Sequence, residues 1–132
     1  MEHGPDGTFE QLAADVFSRA CPSREVFEDV TGKWAVLALA ALHEGPRRFG
    51  ELRRRVDGVS EKMLSQTLQV LERDGLVHRE VRSAIPPHVE YTLTELGSGL
   101  APRLLALIEF VQAALPQVGA ARKAHAERSP AR

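Results

Sequence analysis

A single cysteine, Cys21, is all the thiol that this 132-residue chain carries. That excludes an intramolecular disulfide and fits a reducing cytosol, so the expected compartment is cytoplasmic. No uninterrupted apolar run approaches the roughly 20 residues of a membrane span, and no membrane partner is expected. The opening MEHGPDGTFEQ lacks the basic region followed by an apolar one that marks a secretory signal. There is no glycine-rich phosphate loop, no GxSxG and no HExxH, which argues against an enzyme. His3, His43, His78, His88 and His125 form no pair at metal-ligand spacing, and one cysteine offers no thiolate cluster. No metal and no cofactor are expected.

Hydrophobic residues at 43% and charged residues at 27% suit a globular domain, and the length suits one domain with a real core. Net charge is only −1, which taken alone argues against a nucleic-acid partner. The charge is unevenly spread, however. From Arg47 to Arg82 there are nine Lys/Arg and six Asp/Glu, leaving eight basic and twelve acidic residues elsewhere. A basic middle with acidic flanks suits a protein that meets a phosphate backbone on one side.

Within that middle, Ser60 to Gly75 reads as a helix with both ends marked. Ser60 can cap the first free N–H groups, and Gly75 can adopt the left-handed conformation that ends a helix. Leu64, Leu68 and Leu71 recur at core-facing spacing. Roughly opposite lie Lys62, Gln66, Gln69 and Arg73, with Ser65 beside them. A solvated face is the ordinary explanation of such a stripe; a DNA-recognition helix is the sharper one. Before it, Phe49, Leu52 and Val56 give a short helix an inner face and turn Arg53, Arg54 and Arg55 outward, and Asp57-Gly58 is a turn dipeptide. Two short helices joined in this way form a helix-turn-helix. After it, Leu76–Arg82 and His88–Leu93 read as two strands joined by Ser83–Pro87. A hairpin directly after a helix-turn-helix is the winged-helix order, with Arg79, Arg82 and His88 on the wing.

On the N-terminal side, Thr8 opens a helix whose apolar face runs through Phe9, Leu12, Ala13, Val16, Phe17 and Ala20, and Cys21-Pro22 breaks it. Ser23 caps a short segment around Val26, Phe27 and Val30. Lys33 to Glu44 leaves almost no polar face and belongs at the centre of the fold, with Trp34 in the core. On the C-terminal side, Thr94 caps a long helix along Leu96, Leu100, Leu104, Leu107, Ile108, Val111 and Leu115. A bend or restart is expected near Ala101, before Pro102, and an end or kink at Pro116. From Gly119 onward the composition predicts a frayed tail.

Cys21-Pro22, Gly32-Lys33-Trp34, GPRRFGELRRRVDGVSEKMLSQTLQVLERDGLVHRE and Pro87 through Gly97 (PHVEYTLTELG) together resemble the HxlR family of bacterial transcription regulators. The match runs from about Cys21 to Val111. The resemblance implies a MarR-like winged helix, mainly α with a small β-hairpin, in which the N- and C-terminal helices form a dimer interface. Its divisions would be an arm at 1–20, the DNA-binding domain at 21–97, a dimerisation helix at 98–118 and a flexible tail at 119–132. It further implies a homodimer on a pseudo-palindromic double-stranded DNA operator, as a repressor.

In that frame Lys62, Ser65, Gln66 and Gln69 would meet base edges, since Lys suits guanine and Gln suits adenine. Ser60, Arg48, Arg53, Arg54, Arg79, Arg82 and His88 would meet the backbone. Arg73 falls to the backbone or to water. The family also contains thiol sensors, and Cys21 matches their reactive position, which implies an oxidant or small-molecule effector. Free cysteines are more often inert core residues. The alternative from another class is a winged-helix adaptor that binds protein and not DNA.

Overall fold

The computed structural model describes residues 15–128. Helix α1 spans Pro22–Thr31, α2 Lys33–His43, strand β1 Arg47–Arg48, α3 Phe49–Arg55 and α4 Glu61–Arg73; β2 spans Val77–Arg82, β3 His88–Leu93 and α5 Glu95–Arg128. The apolar α2 lies in the middle, as its sequence requires. Ala35, Ala38, Leu39, Ala41 and Leu42 are buried there and join Leu52, Val56, Val59, Leu64, Leu68, Leu71, Leu76, Val77 and Leu104 in one core. Trp34 is half-buried against that core.

The two long strands pair antiparallel from Val77↔Leu93 to Arg82↔His88, and the five residues between them form the wing tip. Because side chains alternate across a strand, Val77, Arg79 and Val81 share a face with Leu93, Tyr91 and Val89. Only the root of that face is fully covered: Val77 is buried, while Val81 is exposed. A third strand is not marked in the sequence. Arg47 and Arg48 pair with Tyr91 and Glu90, so the sheet runs β1-β3-β2. Two residues are too few for any periodicity to show.

The start of α5 is tied to the winged helix by backbone approach. The Thr94 hydroxyl accepts the Gly97 N–H at 3.0 Å, the expected cap, and itself donates to the Gly75 carbonyl at 2.6 Å. The Thr94 N–H donates to the Leu76 carbonyl at 3.1 Å. Buried Gly97 lies so close that a β-carbon there would stand 2.1 Å from the Leu76 oxygen.

Five local expectations differ from the structure. Residues 15–20 are turns and not the end of a helix; the expected residues before them, Thr8 to Ala14, lie outside the described residues. The Arg24 guanidinium donates to the Val16 and Phe17 carbonyls at 2.9 and 3.0 Å, which removes them as helical acceptors. Cys21, not Ser23, is the N-cap residue of α1, with Pro22 in its first turn, where a missing N–H costs nothing.

Pro102 and Pro116 neither restart nor end α5, and Gly119–Arg128, expected as a tail, is helical. Both prolines are exposed, as are Ser98 and Gln112, whose carbonyls they leave without an amide donor, so solvent can serve those carbonyls. Finally, α5 is long and apolar enough to cross a membrane by length and composition, with an 18-residue stretch of mean hydropathy 1.5. Glu109, Gln112 and Gln117 interrupt its run, which is why a search for unbroken apolar sequence passes over it.

Candidate nucleic-acid interface

Helix α4 is built as its sequence predicts. The Met63 N–H donates to Ser60 Oγ at 3.1 Å, closing the N-terminus; Gly75 has φ +79° just past the C-terminus. Leu64, Leu68 and Leu71 are buried, which fixes the helix rotationally and turns Lys62, Gln66 and Gln69 to the surface, with Ser65 half-buried beside them. Burying three leucines contributes about 1.5–3 kcal/mol each, enough to hold the polar edge in one orientation. Met63, 41% exposed, shares the N-terminal half of this surface. Its apolar side chain interrupts the polar pattern that marks this edge in the sequence, yet it is chemically suited to a thymine methyl.

Three expected backbone residues come together at the turn before α4. Arg53, Arg54 and Ser60 line one cleft of about 630 Å³ with Gly50, Asp57, Gly58 and Val59. Gly58 has φ +94°, a conformation that glycine permits without a steric penalty. Arg53 makes a long contact with exposed Glu61, 3.4 Å, while Arg54 is exposed. The Ser60 oxygen accepts its cap bond and retains its own O–H to donate.

The remaining expected residues stand apart from that cleft. Arg48 lies in β1, exposed, with its backbone N–H donating to Glu51 at 2.8 Å. Arg79 is exposed on the wing. Arg82 is not free: it donates twice to Glu90, at 2.8 and 3.1 Å, and Glu80 lies 3.6 Å away. Those bonds, and then the charge of Glu80, raise its pKa. Glu80 and Glu90 face each other across the hairpin, so Arg82 relieves their repulsion. His88 is half-buried, with Nδ1 3.4 Å from the Pro86 carbonyl.

Two ion-pair groups take basic residues away from the interface. Arg55 donates to Glu44 at 2.9 and 2.6 Å, and Arg47 also bonds Glu44 and the Ala41 carbonyl at 3.1 Å. This clasp joins the end of α2 to β1 and α3. The Arg55 bonds, despite some desolvation and with help from Arg47, hold the Glu44 carboxyl down to about 2. Arg73, read from the sequence as belonging to the backbone or to water, instead bonds Asp29 of α1 at 2.9 Å and Asp74 at 3.2 Å. Burial, and then the adjacent Asp74 carboxylate, raises the pKa of Asp29. Among the described residues, Asp74 Oδ2 is buried without a hydrogen-bond partner.

Cys21 is 3% exposed, with Sγ 3.1 Å from Ser23 Oγ. Burial alone would raise its pKa, but the Ser23 hydroxyl, the backbone N–H of Ser23 and a further backbone bond at Asp15 outweigh it, and the thiol is lowered.

Residues 29–118 match the family model described as HxlR-like helix-turn-helix. The chain belongs to the HxlR family. The uncharacterized HTH-type transcriptional regulator YtfH of Escherichia coli (strain K12) is 50% identical over 108 residues, covering 82% of this chain and 86% of that protein. The solved structure of ytfH from Salmonella typhimurium superposes with a TM-score of 0.77 at 50% identity, covering 83% of this chain and 97% of that one. The redox regulator HypR in its oxidized form superposes with a TM-score of 0.65 at 39% identity, covering 70% and 96%. The HxlR match spans the helix-turn-helix, the wing and most of α5, so the mainly α winged-helix architecture holds throughout the described core.

Proposed function

We propose that this HxlR-family regulator binds double-stranded DNA sequence-specifically as a homodimer on a pseudo-palindromic operator, and represses from it. The observation that carries this is the geometry of α4. A helix locked by three buried leucines presents Lys62, Ser65, Gln66 and Gln69 outward, beside a cleft that gathers Arg53, Arg54 and Ser60. Base readout falls to the first four and phosphate contact to the cleft. Arg48, Arg79 and His88 add contacts at the wing side, and Arg82 must leave Glu90 to join them. The stripe of exposed Leu107, Phe110, Val111 and Leu115 on α5, and separately exposed Val26 and Phe27 on α1, support burial against a second copy. Two-fold symmetry then sets the recognition helices about 34 Å apart. Titrating the full-length protein into labelled DNA flanking its own gene, by fluorescence anisotropy, tests this. Tight binding with a steep negative salt slope is expected; affinity equal to that for random duplex would favour the protein-binding adaptor.

Thiol sensing through Cys21 is a second reading with its own support. The lowered pKa and the N-cap position favour the thiolate, and HypR is a redox regulator; at 3% exposure the segment around Cys21 must open for an oxidant to reach the sulfur. With one cysteine per chain, oxidation would form an intersubunit or mixed disulfide.

A further inference from the structure

Lys33 is the first residue of α2 and is exposed, yet the residues that follow it enter the core, which fixes its position against α4. Its Nζ lies 4.3 Å from the centroid of the Trp34 ring. That indole packs on the core, and its far edge, Cη2, lies 3.9 Å from where a β-carbon on Gly58 would stand. Trp34 thus reaches from Lys33 to the turn before the recognition helix. A cleft of about 280 Å³ opens between the start of α2 and α4, and Lys33 and Trp34 face Met63, Gln66 and Thr67 across it. Two acids also line this cleft, Glu28 and Asp29. Each has its own cation: Arg24 at 3.8 Å from Glu28 and Arg73 at 2.9 Å from Asp29. Among the described residues no carboxylate forms an ion pair with Lys33.

We propose that Lys33, carried on Trp34 beside the reading edge of α4, is a further DNA-positioning residue that contacts the phosphate backbone flanking the bases met by Gln66. The inference rests on the DNA-binding function proposed above. A lysine ammonium is a point charge on a flexible stem, which suits a phosphate better than a base edge with fixed geometry. The cation–π contact keeps that charge near the groove without neutralising it. The cleft of Arg53 and Arg54 flanks the turn before α4, and Lys33 lies against its Gln66 and Met63 side. An anchor on each side of α4 sets its register in the groove more firmly than the Arg53/Arg54 cleft alone, and Arg82, already bonded to Glu90, is poorly placed to supply it.

The test is the salt dependence of binding by the full-length protein, wild type and Lys33→Ala, to DNA flanking its own gene and to a random duplex of equal length. Loss of one phosphate contact per subunit, two per dimer, should reduce the steepness of log affinity against log salt by about 1.8 for both duplexes, and weaken both by about thirtyfold at 0.15 M salt. Lys33→Arg should restore the slope, and thermal melting of each variant separates lost contact from lost fold. An unchanged slope in a folded Lys33→Ala protein overturns the role of Lys33 and leaves the DNA-binding function standing. If the wild-type protein binds neither duplex in a salt-dependent way, both conclusions fall together.

Discussion

Replacing Gly97 by alanine should separate the root of the wing from α5. The added β-carbon would stand 2.1 Å from the Leu76 carbonyl oxygen, 3.1 Å from its carbon and 3.2 Å from Leu93 Cδ2. Ordinary contact needs more than 3 Å, so one backbone segment must retreat by about 1 Å against a packed core. Retreat is resisted on both sides. The Leu76 carbonyl accepts the Thr94 N–H, and Thr94 Oγ1 accepts the Gly97 N–H while donating to Gly75. The cost belongs at the upper end of overpacking, about 3 kcal/mol, which for a domain of this size lowers Tm by about 10 °C. Gly99, two residues along the same helix, meets nothing within 4 Å of an added β-carbon. There alanine should stabilise by about 0.5–1 kcal/mol through helix propensity. Urea unfolding of the two variants and the parent, at one protein concentration because association contributes to stability, gives the comparison. A midpoint for Gly97→Ala equal to or above that of the parent would refute the close-approach argument.

Three further outcomes can be measured. Gln66→Ala should weaken binding to the specific site by about 1–3 kcal/mol for each half-site and leave binding to random duplex nearly unchanged; equal losses on both would make Gln66 a positioning contact. Glu44 has its pKa depressed from 4.5 to about 2, so the Arg55–Glu44–Arg47 clasp contributes its full stability above about pH 4.5 and loses it as pH falls toward 2. Glu44→Gln should therefore flatten the acid limb of stability against pH in that window, and an unaltered limb would show the clasp to be energetically idle. Diamide should convert the parent to a disulfide-linked or mixed-disulfide species with altered operator affinity; an identical response from Cys21→Ser removes Cys21 as the sensor.

What the amino-acid order determines alone is whatever repeats within a turn or two of chain. The leucine spacing of α4, its serine cap and glycine stop, the almost wholly apolar α2 and the alternating strands of the wing are all local, and each forms as the order of residues requires. The family is legible for the same reason, since its motifs are contiguous. Packing decides the rest.

Whether an arginine is available to DNA depends on carboxylates far along the chain. Arg73 meets Asp29, 44 residues away, and Arg55 meets Glu44, 11 away, whereas Arg53 and Arg54 remain at the surface cleft. The continuity of α5 likewise depends on which side of the helix its prolines occupy. Proline's local cost is visible in the sequence, but solvent relief of the orphaned carbonyl follows from exposure. The two-residue β1 exists only because β3 offers it a partner, and Lys33 stands beside Gln66 only because α2 packs across α4. Charge and propensity travel with the residue; which charges are spent on each other is settled by the tertiary fold, because it sets the distances over which they act.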